Sequence, residues 1–532
     1  MIRKLLLACL ITAVMPLLPA SAQVKVAIFS INDFHGGFVR NDAKNIPGAP
    51  AIWQTIDSLK HCYPNHVTVA AGDNFGGSYF YSATRGALLP VFFDALGIRI
   101  SALGNHEFDD GQRQLAAKWE HSPLRPAGWD LTYVCANVRE TATGRIPEFA
   151  QPVASVPLTL PGGKTIRVAF AGLIASSTPI QASARKLSGL SFDGNYPAVL
   201  DSVMQLPEAS LLNDAAIKLL LTHNGTRLNQ QGLPTWDDKD SANLARIDHP
   251  LWDGILSSHS HQLVAGRIND AQYPVVQGKW HGEYIGMLLC TLDTTRMIVT
   301  DVDVQTIHVT PKAHLEAGPA RLQEQIDSLL QNTRTAGGTP LGEVLAQSKQ
   351  ELPHDRNYKY CQTKIGTLVS KAYAEAYRKA ARLNDSVAIV GCTHLGSIRA
   401  GLPKGPVTVL DVGESLPFSN RLKVYQLTGK QIMQLVDYGL HNKRFGWLQT
   451  GNIKIVQNGN TQVTAVIYTS PKGRNHVLQP KKKYYVVADE FMTTGGDGYD
   501  PRLFPAEAEI EVPGMPGTTD AFINYLRQLG NI

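Results

Sequence analysis

Five times in this chain a β-rich run ends on residues able to bind a metal ion, and that recurrence limits what the chain can fold into. Lys25–Ile31 leads into Asn32-Asp33-Phe34-His35-Gly36, and His66–Ala70 into Ala71-Gly72-Asp73-Asn74. Ile98–Leu103 leads into Gly104-Asn105-His106-Glu107-Phe108-Asp109. Ile217–Leu221 leads into Thr222-His223-Asn224-Gly225, and Asp253–Ser257 into Ser258-His259-Ser260-His261. In an open α/β sheet the ligand crevice lies beyond the carboxyl ends of the strands. Strands sharing one sheet would therefore deliver all five ends to one place. Asp33 and His35, like His259 and His261, are two apart, so in extended backbone each pair projects from one side. Glycines at 36, 72, 104 and 225 let the backbone turn sharply beside these residues.

Asp33, His35, Asp73, Asn105, His223, His259 and His261 are too many donors for one tetrahedral ion and suit two ions that share a bridge. Imidazole, carboxylate and amide oxygen together favour Zn²⁺, Mn²⁺, Fe²⁺ or Co²⁺ over Ca²⁺, which prefers all-oxygen shells. Two such divalent ions about 3.5–4 Å apart activate a hydroxide and neutralise a phosphate in an in-line displacement. A lone Asp-x-His at a strand end more often hydrogen-bonds its own loop. Five such blocks, each at a strand end, point to a metal centre.

At 532 residues the chain exceeds one ordinary core, so two domains are expected. Alternating strand and helix signals predict an α/β domain over 23–312. Helical spacing over 315–331 predicts a connecting helix within a linker at 313–340, closed by the breaker Thr335–Pro340. A second α/β domain is expected over 341–532, with a helix near Ile365–Arg382 and strands near Ser386–Val390 and Tyr484–Val487. Residues 1–22 read as an export signal: Arg3 and Lys4, the apolar run Leu5–Leu18, then Ala20-Ser21-Ala22. This predicts a periplasmic or secreted protein, and no later segment is long and apolar enough to span a membrane. Cys62, Cys135, Cys290, Cys361 and Cys392 remain after the signal, an odd number that leaves at least one unpaired in a monomer. The net charge of +5 is small for this length and gives no reason to expect a nucleic-acid polymer as partner.

Taken in order, Asp33-x-His35, Gly72-Asp73, Gly104-Asn105-His106-Glu107, His223 and His259-x-His261 resemble the calcineurin-like metallophosphoesterases. Ser258 stands where a glycine is usual before the last pair. The resemblance implies an N-terminal four-layer α/β sandwich and a second C-terminal α/β domain joined by a connecting helix. It also implies Asp33, His35 and His261 on one ion, Asn105, His223 and His259 on the other, and Asp73 bridging. In the 5'-nucleotidase branch a pair like His106 and Asp109 is catalytic. The histidine stabilises the phosphoryl group or protonates the leaving oxygen, and the carboxylate holds its tautomer.

Gln362–Gly366, Leu416–Leu422, Leu427–Gly429 and Phe491–Tyr499 resemble the C-terminal domain of the bacterial periplasmic 5'-nucleotidase and UDP-sugar hydrolase family. That resemblance implies that Phe418 and Phe491 sandwich a base, with Asn420 and Asp497 as polar contacts and Asp497 facing the ribose hydroxyls. Arg399 and Lys359 would meet phosphate, although a lysine lacks the bidentate fork of the arginine usual at 359. His394-Leu395-Gly396-Ser397-Ile398-Arg399 replaces the usual Asn-Gly-Gly-Gly-Ile-Arg, putting side chains where backbone would approach the ligand. The implied activity is phosphate release from nucleoside 5'-monophosphates, extending to 2',3'-cyclic nucleotides or UDP-sugars, within nucleotide catabolism. The altered loop leaves open a different phosphate or sulfur ester, and beyond that a nucleotide-binding protein without catalysis.

Overall fold

The computed structural model describes residues 23–117, 119–120, 122–181, 186–237, 241–247, 252–270, 272–355, 362–418, 420–442, 446–459 and 462–532. The expected export signal at 1–22, Lys359 and Cys361 lie outside the described residues. Five strands carry the ligand-rich ends: β1 (Gln23–Ile31), β2 (His66–Ala70), β3 (Ile100–Ala102), β4 (Ile217–His223) and β5 (Gly254–Leu256). They are nearly continuous apolar runs, as expected of parallel strands covered on both faces.

These five do not share one sheet. β1, β2 and β3 are parallel neighbours in a seven-stranded sheet, whereas β4 and β5 are parallel neighbours in a six-stranded one. The two sheets meet face to face through Val26, Ile28, Val69, Phe170, Leu219 and Leu288. Burying each such side chain contributes roughly 1.5–3 kcal/mol. The outer face of the first sheet, through Phe29 and Ile31, packs on Ile52 and Ile56 of α1 (Ala49–Cys62) and on Phe92 of the helix Leu89–Leu96. The outer face of the second, through Ala171, Leu220 and Val275, packs on Tyr196, Val199 and Leu212. The order helix, sheet, sheet, helix is the expected four-layer sandwich.

The expected connecting helix forms as α2 (Ala317–Asn332) and lies against α1, with Gly318 at the face of Trp53. A Cβ there would come within 2.7 Å of the indole. Leu322 and Ile326, one turn apart, are its buried face. Beyond it, β6 (Ile389–His394), β7 (Leu422–Thr428) and β8 (Lys483–Asp489) form the centre of a five-stranded mixed sheet. α3 (Lys364–Ala380), capped by the Thr363 hydroxyl accepting from Gly366 N at 2.9 Å, covers it. β6 starts at Ile389 rather than Ser386, because Asn384 Oδ1 accepts from Ser386 N at 3.0 Å and holds that stretch in a turn.

One hydrophobic cluster runs from Phe29 and Ile52 through Leu322 and Ile326 to Ile365 and Tyr373, tying the C-terminal sheet to the sandwich. A polar contact adds to it. Glu414 Oε1 accepts from Tyr79 N at 2.6 Å, and Gly413 presses on the Tyr79 ring. Cys62, Cys135, Cys290 and Cys392 are free thiols, and no described helix is long and apolar enough to cross a membrane.

Ile326→Ala, which empties part of this shared core, is expected to lower stability by about 2–5 kcal/mol in chemical denaturation. Glu324→Ala, on the exposed side of the same helix, should stay within about 0.5 kcal/mol of the parent.

Candidate active site

The carboxyl ends of β1, β2, β3, β4 and β5 converge across the two sheets, so the predicted convergence occurs by another route than a single sheet. Three sets of donors gather there, each within 4.8 Å: Asp33, His35 and His261; Asp73, His223 and His259; and His35, Asp73 and His106. His35 Nε2 faces His261 Nε2 at 3.1 Å. Asp73 Oδ2 lies 3.1 Å from His223 Nε2 and 3.8 Å from His35 Nε2, between the two groups. Asn105, next to His106 whose N–H meets Asp73, is a buried amide whose Oδ1 has no hydrogen-bond partner among the described residues.

The pairs two residues apart do not reach this place through extended backbone. Asp33, His35, Asp73, His259 and His261 have φ of 48, 47, 51, 78 and 58°, all left-handed. Such conformations cost non-glycine residues roughly 1–3 kcal/mol each and persist only where the surroundings impose them. Here the first two loops are tied together: Asp33 N donates to Gly72 O at 3.1 Å and His35 N to Asp73 O at 2.9 Å. The sheets are tied as well. Ser258 Oγ donates to Asp33 Oδ2 at 2.8 Å, and His259 N to the same carboxylate at 3.0 Å.

The donor set fits divalent cations on three counts. Asp33 and Asp73 are buried carboxylates whose only ion-pair partners among the described residues are histidines, and buried charge needs a counter-charge. The Nδ1 atoms of His35 and His223 face the carbonyls of Phe75 and Ala71 at 3.2 and 2.9 Å. Each ring therefore carries its proton outward and turns the Nε2 lone pair into the pocket, as a ligand histidine must. Asn105 Oδ1 supplies a further buried oxygen with nothing to bind.

His106 and Asp109 sit at the open side. His106 Nδ1 is 2.6 Å from Asp109 Oδ2, and the ring meets that of His35 edge-on at 5.0 Å. Burial disfavours its charge, but the hydrogen bond to Asp109 and the field of Asp73 hold it up at about 9. The backbone N–H of His106 also donates to Asp73 Oδ1 at 2.9 Å, fixing the histidine to the donor between the two groups.

Glu107, which the sequence pattern does not single out, braces the donor loops. Its carboxylate accepts from Asp73 N and Asn74 N, both at 2.8 Å, from Gly104 N at 2.7 Å and from Asn74 Nδ2 at 3.0 Å. One buried acid thus holds the β2 and β3 loops in register, and a Cβ at Gly104 would collide with Asp73 and with it. Its signal was its place inside a glycine-flanked ligand block. Trp280 was also missed. It stacks on His261 at 4.9 Å and 21°, walling one side of the pocket.

The remaining predicted residues lie at the C-terminal sheet. Phe418, 56% exposed, lines a small cleft with Ser397, Asn420 and Asp489, and the Arg399 guanidinium sits 5.4 Å over its ring. Phe491, 45% exposed, stacks near the His394 ring, and Asp497 lies beside the same histidine. Leu395 does not occupy ligand space; it is fully buried. The Ser397 hydroxyl turns inward to His394 Nε2 at 2.7 Å.

Residues 344–503 match the family described as 5'-nucleotidase, C-terminal domain. The chain is 25% identical over 510 residues to the trifunctional nucleotide phosphoesterase protein YfkN of Bacillus subtilis, covering 90% of this chain but 32% of that protein. It is 22% identical to an apyrase of Aedes aegypti, covering 95% of this chain and 90% of the other. The crystal structure of a 5'-nucleotidase precursor from Thermus thermophilus superposes with a TM-score of 0.61 at 23% identity, over 96% of this chain and 97% of that one. The fold is therefore that of the Thermus thermophilus 5'-nucleotidase precursor, with residues 344–503 matching a 5'-nucleotidase C-terminal domain.

Glu107→Gln would set an amide donor against backbone donors. It is expected to cost about 1–3 kcal/mol, seen as a lowered Tm for the full chain, whereas Asp109→Asn at the exposed rim should leave Tm nearly unchanged.

Proposed function

We propose that this chain, whose residues 344–503 match the 5'-nucleotidase C-terminal domain family, is an exported two-metal phosphohydrolase acting on nucleoside 5'-monophosphates. We assign residues 1–22 to the signal, 23–312 to the metallophosphoesterase domain, 313–340 to the linker and 341–532 to substrate binding. The observation that carries the reading is Asp73, set between His35 on one side and His223 on the other. Asp33, His35 and His261 would hold one cation and Asn105, His223 and His259 a second, with Asp73 shared. When bound, a pair of Zn²⁺, Mn²⁺, Fe²⁺ or Co²⁺ ions supplies Lewis acidity toward a phosphoryl group and lowers the pKa of water.

The chain's own residues account for the rest. His106, kept charged by Asp109, offers Nε2–H to the phosphoryl oxygens or to the leaving oxygen. Phe418 and Phe491 offer two exposed faces for a base, with Asn420 and Asp497 as polar contacts and Arg399 and Lys359 for phosphate. Cyclic 2',3'-nucleotides and UDP-sugars belong to the same reading, since stacking on two rings tolerates different bases. A different phosphate or sulfur ester is the second reading, motivated by the unusual His394–Ser397 turn. Rapid turnover of an aryl phosphate with weak nucleoside binding would favour it.

Purified protein is expected to release phosphate from AMP, to lose that activity on dialysis against a chelator, and to regain it with Mn²⁺, Zn²⁺ or Co²⁺. Elemental analysis should find about two ions per chain. Metal-independent turnover, or no turnover of AMP, UDP-glucose and cyclic nucleotides alike, would reject the reading. His106→Asn should lower kcat about 10²–10⁴-fold with metal content unchanged.

A further inference from the structure

His394 ends β6 with its side chain wholly buried, and it touches both features that would hold a nucleoside. Its ring stacks near that of Phe491, with centroids 6.0 Å apart and planes at 30°. Nδ1 lies 3.3 Å from Asp497 Oδ2, an ion-pair contact, and has no hydrogen-bond partner among the described residues. Nε2 is 2.7 Å from Ser397 Oγ, which in turn is 3.4 Å from Asp489 Oδ2. Asp489 Oδ1 accepts from Met492 N at 2.9 Å and so caps the short helix that carries Phe491. One buried chain of side chains thus runs from the exposed carboxylate to the exposed ring.

The carboxylate beside Nδ1 favours a proton on that nitrogen. A proton on Nδ1 turns a positive N–H edge toward Asp497 Oδ2, while the single Ser397 proton serves either His394 Nε2 or Asp489 Oδ2. The opposite tautomer would aim a lone pair at a carboxylate. Asp497 is pinned at its backbone too, with φ of 48° and its carbonyl accepting from Asn442 Nδ2 at 3.0 Å. Its side chain remains 25% exposed beside the buried His394, so the carboxylate is open to a donor from solvent. A carboxylate oxygen can only accept, and beside a stacking ring it is matched by hydroxyl donors.

We propose that His394 is a positioning residue that holds Asp497 for the hydroxyl donors of a ribose, so that the cleft selects ribonucleotides over 2'-deoxyribonucleotides. This rests on the nucleotide reading above. A site built around a substrate hydroxyl rejects the analogue lacking it far more strongly than an apolar pocket does. His394→Phe keeps a ring against Phe491 but removes the N–H, and His394→Asn restores a shorter donor.

The test measures KM and kcat of the full-length, metal-loaded protein on AMP and 2'-deoxy-AMP, with calorimetric binding of adenosine and 2'-deoxyadenosine. The parent should favour the ribonucleotide about ten- to hundredfold. In His394→Phe the KM for AMP should rise by about that factor with kcat within about twofold, 2'-deoxy-AMP should change little, and Asn should recover part of the preference. Equal effects on both substrates, or undiminished preference in either variant, would overturn this inference and leave the nucleotide reading standing. If Phe does not fold, as judged by circular dichroism, the Asn variant and adenosine binding decide alone. Failure of the parent to bind adenosine or deoxyadenosine at all would overturn both.

Discussion

The packing of two sheets with their parallel strands pointing the same way is the constraint on which the site depends. Neither sheet alone brings all seven donor side chains: β1, β2 and β3 bring Asp33, His35, Asp73 and Asn105, while β4 and β5 bring His223, His259 and His261. The interface between the sheets is apolar along its length, from Val26 to Leu292. At its crest it changes to hydrogen bonds across the gap, with His223 reaching the Ala71 carbonyl and Ser258 reaching Asp33. The apolar part sets how close the sheets come, and the polar part sets where the donors stand.

Much of this was legible because strand ends have local signatures. The five ligand blocks, the connecting helix and the helix after Gln362 could be read from runs, caps and breakers. That the strands divide between two sheets could not, because a buried strand of either sheet is the same short apolar run. The backbone of the Asp-x-His and His-x-His pairs was misread for a related reason. Spacing two suggests extended chain, but these loops are bent left-handed by hydrogen bonds from a neighbouring loop more than thirty residues away in sequence. Glu107 carries no such signature, because an acid two residues beyond Asn105 looks like one more surface carboxylate until its four donors are seen.

In the C-terminal part the departure at 394–397 has a different meaning in three dimensions than in one. Set against a glycine loop, Leu395 and Ser397 look like obstructions. In the fold, Leu395 belongs to the interior and Ser397 bonds inward, so the turn closes on itself and leaves Phe418 and Phe491 exposed.

The left-handed ligand residues carry a further consequence. Glycine adopts their backbone angles without penalty, so drift toward glycine at 33, 35, 73, 259 or 261 would relax the chain locally while erasing its donors. A descendant of this protein freed from its chemistry would be expected to accumulate glycines at those positions. The acids and imidazoles at these five positions hold their left-handed backbone against the conformational preference of the chain itself.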